Sequence, residues 1–236
     1  MIAWLGRILR AMAFRAAVFD FDGVIVDSEP LHFRSLRDAL ASESVLITHE
    51  EYWDHLLAHD DRSSIRLAFA RHGERPDPER LARVERAKIE RFAELIPDVP
   101  VFPGAREVIG ALAAERPLAI ASGARHDEIE AILAGIGLRD AFSAVVGAED
   151  ASRTKPDPAP YLEAARRLEA HAPGLATAEC VAFEDSVPGV MSALGAGMKV
   201  VGVAHSYPAA KLRSAHRVVD SLAALETGSL GGLFED

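Results

Sequence analysis

The sequence predicts an α/β protein with a doubly wound parallel sheet and one inserted helical segment. Two observations predict this fold. Short apolar runs alternate with helical patterns along most of the chain, and one long stretch in the N-terminal half contains helical patterns only. Alternating strands and helices favour a parallel sheet that is covered on both faces. Ligands of such sheets bind outside the carboxyl ends of the strands, so we expect a functional site at that edge.

The predicted strands are short runs rich in Val, Ile, Ala and Phe that end at polar residues, as buried strands do. They cover 16–19, 118–121, 144–146, 181–183 and 200–203. Helical patterns follow these runs, several with Pro near the start or Gly near the end, which are common residues at helix boundaries. They cover 105–115, 127–134, 158–170 and 188–195.

The stretch from about Leu31 to Leu95 has no strand candidate and consists of amphipathic patterns such as LHFRSLRDALA and PERLARVERAKIERFAEL. We therefore expect a helical domain at 30–97, inserted into an α/β core that is formed by 12–29 and 98–236. The run IPDVPVFPGA, with three prolines, is typical of a hinge that returns the chain to the core.

The composition limits the class of protein. The chain has 236 residues, of which 49% are apolar and 26% are charged, as in ordinary globular proteins. A disordered chain, a collagen and a membrane bundle are thereby excluded. The formal net charge of −10 disfavours a nonspecific nucleic-acid binder, because phosphate backbones bind basic surfaces. We expect neither nucleic acid nor a membrane as a partner.

Two features indicate a cytoplasmic protein. The single cysteine, Cys180, lies in the apolar run CVAF, which predicts a buried structural thiol in a reducing compartment. The N-terminal run MIAWLGRILRAMAFR is interrupted by Arg7 and Arg10 and precedes no small-residue cleavage site, so it does not fit a targeting segment. It is either a short packing helix or a result of start-codon choice, with Met12 as the true start.

Two acidic pairs follow predicted strands. Asp20 and Asp22 come after the first strand, and residues two apart on an extended backbone face the same side. Glu184 and Asp185 follow the run CVAF. Neighbouring carboxylates repel each other unless a cation or a proton offsets their charge, and oxygen ligands without His or Cys favour Mg2+. A turn at the first pair and a helix cap at the second are the alternatives for each pair alone.

Ser122 and Lys155 are predicted to reach the same edge. Ser122 and Gly123 follow a strand, and Ser122, Lys155 and Asp185 are spaced by roughly one βαβ unit of 30 residues each. Alone, Ser122 is explained as a helix cap and Lys155 as a surface charge. Together with the acidic pairs they predict phosphoryl transfer. One carboxylate attacks phosphorus, another moves the proton, and the cation, Lys155 and Ser122 stabilise the phosphoryl oxygens.

The segments DFDGVIVDSE, ASG, KPDP and FEDS resemble, in order, the four motifs of the haloacid dehalogenase superfamily. The resemblance is to its phosphoglycolate phosphatase and β-phosphoglucomutase-like group. It implies a Rossmann-like core, an α-helical cap, Mg2+ as cofactor and a monomer. It also implies the following roles: nucleophile Asp20, acid/base Asp22, phosphate-binding hydroxyl Ser122, charge-stabilising Lys155, direct metal ligand Asp185, second acidic contributor Glu184, and metal ligation by the backbone carbonyl of Asp22.

Asp22 favours phosphate chemistry, because relatives that cleave carbon–halogen bonds resemble this pattern but lack the second Asp. We expect a Mg2+-dependent phosphatase, acting on a small phosphorylated metabolite through an aspartyl-phosphate intermediate. A sugar-phosphate mutase like β-phosphoglucomutase is the alternative that the motifs do not separate from it. A non-enzymatic phospho-accepting signalling domain is less favoured, since such domains lack a helical cap and an acid/base two residues after the phosphorylated Asp.

Substrate contacts are expected from Ser122, Gly123 and Lys155 at the sheet edge and from three further residues. In the family that the chain resembles, a histidine lies near the entrance to the cap, and His32 matches that position. A partly exposed helix residue is an equally good explanation of His32. Arg62 is suited to pair with an anionic substrate group. Its neighbours Asp61 and Ser63 are more simply explained as caps of the next helix. Arg125 either contacts phosphate or starts a helix.

Overall fold

The structure is a computed structural model that describes residues 14–57 and 59–235. The chain divides into two compact units. An α/β unit combines the residues up to Asp27 with those from Pro100 onward, and a helical unit comprises Ser28–Val99. The assignment of these units as a catalytic core domain and a cap domain stays a prediction.

Within the described residues, the α/β unit contains one six-stranded sheet in which all neighbouring strands are parallel. The strands are β1 Ala16–Phe19, β2 Leu118–Ala121, β3 Ala144–Val146, β4 Cys180–Glu184, β5 Lys199–Val203 and β6 Arg217–Val219. Their order across the sheet is β3-β2-β1-β4-β5-β6. The chain changes its direction of travel across the sheet between β1 and β4. In doubly wound sheets, ligands bind in the crevice at such a reversal, beyond the carboxyl ends of the strands.

Within its described residues, the helical unit contains four α-helices. They are α1 Glu29–Ala41, α2 His49–Glu51, α3 Asp61–Arg71 and α4 Pro78–Leu95, and α2 continues directly into a π-helical turn at Tyr52–Leu56. Three of the helices begin at a capping side chain. Thr48, Asp60 and Asp77 each accept a hydrogen bond from the amide three residues further on. The cap of α3 is therefore Asp60, and the expectation that Asp61 or Ser63 caps this helix was wrong.

Each unit has its own apolar core. In the helical unit, most of the buried side chains come from α1, α3 and α4 and include Leu40, Ile65, Phe69 and Leu81, and the connection after α1 and the π-helical turn supply the others. In the α/β unit, helices α5 Ala105–Ala113, α6 His126–Gly135, α7 Ala159–Leu168 and α8 Val187–Gly195 flank the sheet. Every residue of β1, β2 and β4 is buried, and all of them except Glu184 at the end of β4 are apolar, as is typical of parallel strands that are covered on both faces.

The predicted fold class is confirmed. Three strands begin and end where the sequence places them, and within the described part of the helical unit no strand occurs. The edge strand β6 was not predicted. Its residues are only half-buried, so this short segment lacks the continuous apolar run that identifies a central strand.

Three further expectations concern the chain ends, the cysteine and the membrane. The N-terminal run up to residue 13 lies outside the described residues, so its prediction stays untested. Cys180 is buried, as predicted, and burial raises the pKa of its thiol to about 12. In the part of the chain that the structure describes, no helix has both the length and the apolarity that crossing a bilayer requires.

Candidate active site

Asp20 is the first residue after β1 and lies at the centre of the candidate site. Its amide donates to the Phe183 carbonyl of β4 at 2.9 Å, which fixes the chain between the two strands. Its Oδ1 accepts a hydrogen bond from the Phe21 amide at 2.8 Å. Only 8% of the residue is exposed. The sheet thus holds one carboxylate, almost buried, at the edge where ligands bind.

Lys155 joins the two acidic pairs. Its ammonium nitrogen lies 2.8 Å from Asp20 Oδ1 and 2.7 Å from Glu184 Oε1. The side chain is buried, and the ammonium group also lies 5.2 Å from the centre of the Tyr161 ring. Burial by itself lowers the pKa of this lysine, but the attraction of Asp20 and Glu184 outweighs burial and raises it. Lys155 is therefore a fixed positive charge beside the Asp20 carboxylate.

Glu184 accepts hydrogen bonds on both carboxylate oxygens. Oε1 accepts from Lys155 at 2.7 Å and from the Tyr161 hydroxyl at 3.0 Å. Oε2 accepts from the Ser186 amide at 3.0 Å and from the Ser186 hydroxyl at 2.9 Å. A carboxylate offers about four lone-pair sites, so these donors occupy Glu184 fully. One of these donors is Lys155, so Glu184 also fixes the position of that ammonium group.

Three buried carboxylates form a possible metal cluster. Asp20, Glu184 and Asp185 each place a carboxylate oxygen within 4.8 Å of the others. A set of oxygen ligands without sulfur or imidazole fits a hard divalent cation. Because the oxygens of Glu184 are already engaged by four donors, Asp20 and Asp185 are the better candidates for direct ligation.

The pKa shifts at the site indicate a shortage of positive charge. Burial raises the pKa of Asp20, and repulsion from Glu184 and Asp185 raises it further against the opposing effect of Lys155. Burial also raises the pKa of Asp185 to about 6, while a hydrogen bond from Ser206 acts against this increase. One lysine thus faces three carboxylates. A divalent cation would offset the remaining negative charge.

Gly23 packs the DFDG turn against Asp185. Its φ of +81° lies in the left-handed region that favours glycine. A Cβ at this position would lie 1.9 Å from Asp185 Oδ2, so any other residue would displace that carboxylate. Asp22, one residue earlier, is half-buried in the same turn. The turn that carries the predicted acid/base therefore packs, through Gly23, against Asp185.

Ser122 and Lys155 line one cavity. The cavity has a volume of about 170 Å3, and its wall includes Ser122, Gly123, Gly147, Arg153, Thr154 and Lys155. Ser122 is buried, and its hydroxyl accepts a hydrogen bond from the Ala124 amide at 3.0 Å. Helix α6 is preceded by Arg125, so Ser122 is not its cap. Arg153 was not singled out from the sequence, where it was one of many charged residues.

The arginines that were predicted to contact substrate form ion pairs within the chain. Arg125 immediately precedes α6, is highly exposed and pairs with Asp127 at 2.8 Å. Arg62 lies in α3 and pairs with Glu85 of α4 at 3.3 Å. A substrate role for either arginine, which would require exchange of these pairs, stays a prediction.

A buried lysine of the helical unit was missed. Lys88 of α4 is 4% exposed, and its ammonium group lies 2.7 Å from Asp61 Oδ2 and 3.1 Å from His32 Nδ1. The ammonium group can only donate, so His32 Nδ1 is the acceptor. In the sequence, Lys88 is one of many charged residues of an amphipathic helical pattern. The helical spacing could have indicated its burial, because Lys88 lies four residues from both Val84 and Phe92 on the apolar face of α4.

The family of the chain follows from its likeness to known proteins. The family of haloacid dehalogenase-like hydrolases matches residues 14–197, which include all four predicted motifs. The chain belongs to this family. The resemblance inferred from the motifs is thereby confirmed.

Relatives within the family are similar over most of the chain. Hexitol phosphatase B of Escherichia coli strain K12 is 36% identical over 191 residues, which are 80% of this chain and 82% of that protein. The crystal structure of CbbY from Rhodobacter sphaeroides in complex with phosphate has a TM-score of 0.72 and 30% identity, and covers 90% of this chain and 96% of that one. A putative β-phosphoglucomutase from Thermotoga maritima has a TM-score of 0.74 and 28% identity, over 89% and 95% of the chains.

These relatives confirm the predicted class of enzyme, a haloacid dehalogenase-like phosphoric monoester hydrolase. In the α/β unit, the structure brings Asp20, Lys155, Glu184 and Asp185 together at one sheet edge, with Ser122 at the adjoining cavity. The catalytic roles of these residues stay predictions, and so do the contacts of substrate with His32 and Arg62 in the helical unit.

Proposed function

We propose that this enzyme is a Mg2+-dependent phosphatase that acts on a small sugar phosphate through an aspartyl phosphate on Asp20. The observation that carries the proposal is the Asp20 carboxylate, held at the end of β1 by strand hydrogen bonds, 2.8 Å from the Lys155 ammonium group and within the buried carboxylate cluster. The similarity to hexitol phosphatase B supports a sugar phosphate as the class of substrate.

The acidic residues fit the ion that the family resemblance implies. Asp20, Asp185 and the backbone carbonyl of Asp22 would hold Mg2+, and Glu184 would contribute through its charge and through Lys155. Bound there, the ion would neutralise the carboxylates and stabilise negative charge on the phosphoryl group. Asp20 could then approach phosphorus as an anion despite its raised pKa.

The first half-reaction needs one nucleophile and one acid. An oxygen of Asp20 forms a bond to phosphorus while the bond from phosphorus to the leaving oxygen breaks. The carboxyl group of Asp22 gives its proton to that leaving oxygen, which departs as an alcohol. Lys155 and the Ser122 hydroxyl stabilise the equatorial phosphoryl oxygens during the transfer.

The second half-reaction reverses the role of Asp22. A water molecule attacks the phosphorus of the aspartyl phosphate, and the Asp22 carboxylate takes a proton from it. The bond between phosphorus and the Asp20 oxygen breaks. Inorganic phosphate leaves, and both carboxyl groups return to their starting protonation states.

The substrate is selected by residues outside this chemistry. Gly123 and Arg125 follow the phosphate-binding Ser122, and His32 and Arg62 belong to the helical unit. We keep these four as substrate contacts, with Arg62 and Arg125 suited to anionic groups of the substrate.

A sugar-phosphate mutase is the second candidate, because the putative β-phosphoglucomutase is similar in structure and 28% identical. A mutase would return the phosphoryl group of Asp20 to a second sugar hydroxyl instead of water. The two activities differ in their products, so one assay separates them.

The deciding experiment measures phosphate release from sugar phosphates, phosphoglycolate and nucleotides, with Mg2+ and with EDTA. We expect Mg2+-dependent release, and a loss of roughly 1,000-fold or more in kcat for Asp20→Asn because its amide is a poor nucleophile. The control is Asp140→Asn, which changes an exposed carboxylate of the same unit and should behave as wild type.

Release that persists in EDTA or in the Asp20→Asn variant would contradict the proposal. Conversion of β-glucose 1-phosphate to glucose 6-phosphate with a bisphosphate primer, without phosphate release, would identify the mutase instead. We also expect a monomer, as the family resemblance implies, and a cytoplasmic enzyme, as the single cysteine and the N-terminal run indicate. Light scattering of the purified chain checks the monomer.

A further inference from the structure

The loop that follows β5 contacts the DFDG turn that follows β1. His205 Nδ1 lies 2.8 Å from the carbonyl oxygen of Gly23. A carbonyl oxygen only accepts, so Nδ1 carries the hydrogen and donates it. The imidazole ring also stacks on the Phe102 ring, with 4.1 Å between centroids and 17° between planes. These two contacts fix both the position and the orientation of the ring.

The loop itself is anchored to the sheet. The Ala204 amide donates to the Val219 carbonyl of β6 at 2.9 Å, and the His205 amide donates to the Val203 carbonyl at 2.9 Å. Phe102 is anchored as well, because its amide donates to the Ile25 carbonyl at 2.9 Å. His205 is therefore held on two sides before it contacts Gly23.

The next residue contacts the metal cluster. The Ser206 hydroxyl donates a hydrogen bond to the Asp185 carboxylate. A Cβ on Gly23 would lie 2.8 Å from this hydroxyl oxygen and 1.9 Å from Asp185 Oδ2. Two successive residues of one loop thus contact the DFDG turn and the acidic residue after β4, which are far apart in the sequence.

We propose that His205 is a positioning residue of the metal site, which holds the carbonyl of the Gly23–Val24 peptide and, through the Gly23 backbone, limits rotation of the adjoining Asp22–Gly23 peptide. Glycine at positive φ restricts its own backbone less than any other residue. Inside the turn, the Gly23 amide donates to the Val26 carbonyl at 2.9 Å, and the hydrogen bond from His205 holds the carbonyl at the other end of the residue. The Asp22 carbonyl, which is the implied metal ligand, belongs to this Asp22–Gly23 peptide. The inference rests on the metal-dependent phosphatase proposed above.

The test compares two amides at position 205. In His205→Asn, the side-chain amide nitrogen lies near the place of Nδ1 and keeps the donor. In His205→Gln, the same amide is displaced by one carbon–carbon bond. The two variants differ little in polarity, so a difference between their Kd values for Mn2+ reports the position of the hydrogen-bond donor. His205→Ala removes the donor and the stacked ring together.

The primary readout is Mn2+ binding in the absence of substrate. It is measured from the EPR signal of the Mn2+ that remains free in solution. Groups that orient metal ligands typically contribute 10- to 100-fold to metal affinity. We expect the Kd for Mn2+ to rise roughly 10-fold in His205→Gln and His205→Ala, and to stay within about threefold of wild type in His205→Asn. In the phosphatase assay, the concentration of Mg2+ at half-maximal rate should rise by the same factors.

His216→Ala is the control for general damage to the sheet. His216 Nδ1 accepts a hydrogen bond from the Val200 amide at 3.1 Å, and we place this residue outside the site. The variant should lower Tm without changing the Kd for Mn2+. An equal rise of Kd in His216→Ala and His205→Gln would show a merely structural role and overturn the proposal.

The outcomes separate this inference from the proposed function. If the wild type binds Mn2+ and His205→Gln binds it equally well, His205 does not position the site, and the phosphatase proposal stands. If the wild type binds no divalent cation and releases phosphate without one, the proposed function fails, and this inference fails with it.

Discussion

Asp150 shows at the scale of one residue how a partly buried hydrogen-bond network lowers a carboxyl pKa. Its carboxylate accepts hydrogen bonds from Arg167 at 2.7 Å, from the Gly147 amide at 2.9 Å and from His126 at 2.7 Å. Partial burial raises the pKa of Asp150, but these donors outweigh burial and lower it to about 2. The ionised carboxylate ties the segment after β3 to α6 and α7.

Asp150→Asn should lower the free energy of unfolding at pH 7 by about 1–3 kcal/mol, since the amide replaces a charged acceptor by a neutral one. The folded-state pKa is below the unfolded value of about 3.9, so this stabilisation is present above pH 4 and is lost as pH falls toward 2. Urea unfolding between pH 7 and pH 3 checks it. A difference between variant and wild type that grows below pH 4 would contradict this account.

At the scale of single residues, the sequence indicated Asp20, Ser122, Lys155 and Asp185 because each follows a strand that ends at the same edge. It did not indicate Tyr161 or His205. Tyr161 lies in an amphipathic helix, where an aromatic residue is most simply a core residue. His205 follows a strand that carries no motif. Their contacts join segments far apart in the chain, and only the folded structure brings those segments together.

At the scale of secondary structure, α8 begins directly beside Glu184. Ser186 caps this helix and also donates to Glu184 through its amide and its hydroxyl. Gly189, in the first turn, passes so close that a Cβ would lie 1.7 Å from Glu184 Oε1. The helix can approach the carboxylate only because this residue has no side chain.

Gly189→Ala should displace the Glu184 carboxylate and with it Lys155, lowering kcat/KM strongly and costing about 1–3 kcal/mol of stability by overpacking. Gly110→Ala is the control, because Gly110 lies in α5 with open space around it and should gain about 0.5–1 kcal/mol. Thermal unfolding and steady-state kinetics measure both variants. Normal kinetics of Gly189→Ala would show that Glu184 tolerates displacement.

At the scale of the whole molecule, two units with separate cores share one chain. Phe69 is fully buried in the core of the helical unit, whereas the three buried carboxylates of Asp20, Glu184 and Asp185 belong to the α/β unit. The α/β unit is formed from two segments of the chain, and the helical unit from the segment between them. A substitution that damages the core of the helical unit should therefore leave the metal affinity of the α/β unit unchanged.

Phe69→Ala should destabilise the helical unit by about 3–5 kcal/mol, because it removes a buried aromatic ring and leaves a cavity. Hydrogen exchange should increase in 28–99 while Mn2+ affinity of the α/β unit stays at the wild-type value. A matching loss of Mn2+ affinity would show that the two cores do not fold independently.

The sequence by itself determined the fold class, the helical insert, the four motifs and the family. These properties depend on local hydrophobic periodicity and on polar residues at strand ends, and both can be seen directly in the order of the residues. The tertiary structure decided which charges are buried. In the sequence, Lys88 is one of many charges of an amphipathic pattern, and only the packing of α4 shows it buried and paired with Asp61 and His32. Glu184 is read as a metal ligand, and only the converging donors show that it is saturated. Burial and hydrogen-bond saturation depend on contacts between distant segments, and no local pattern specifies them.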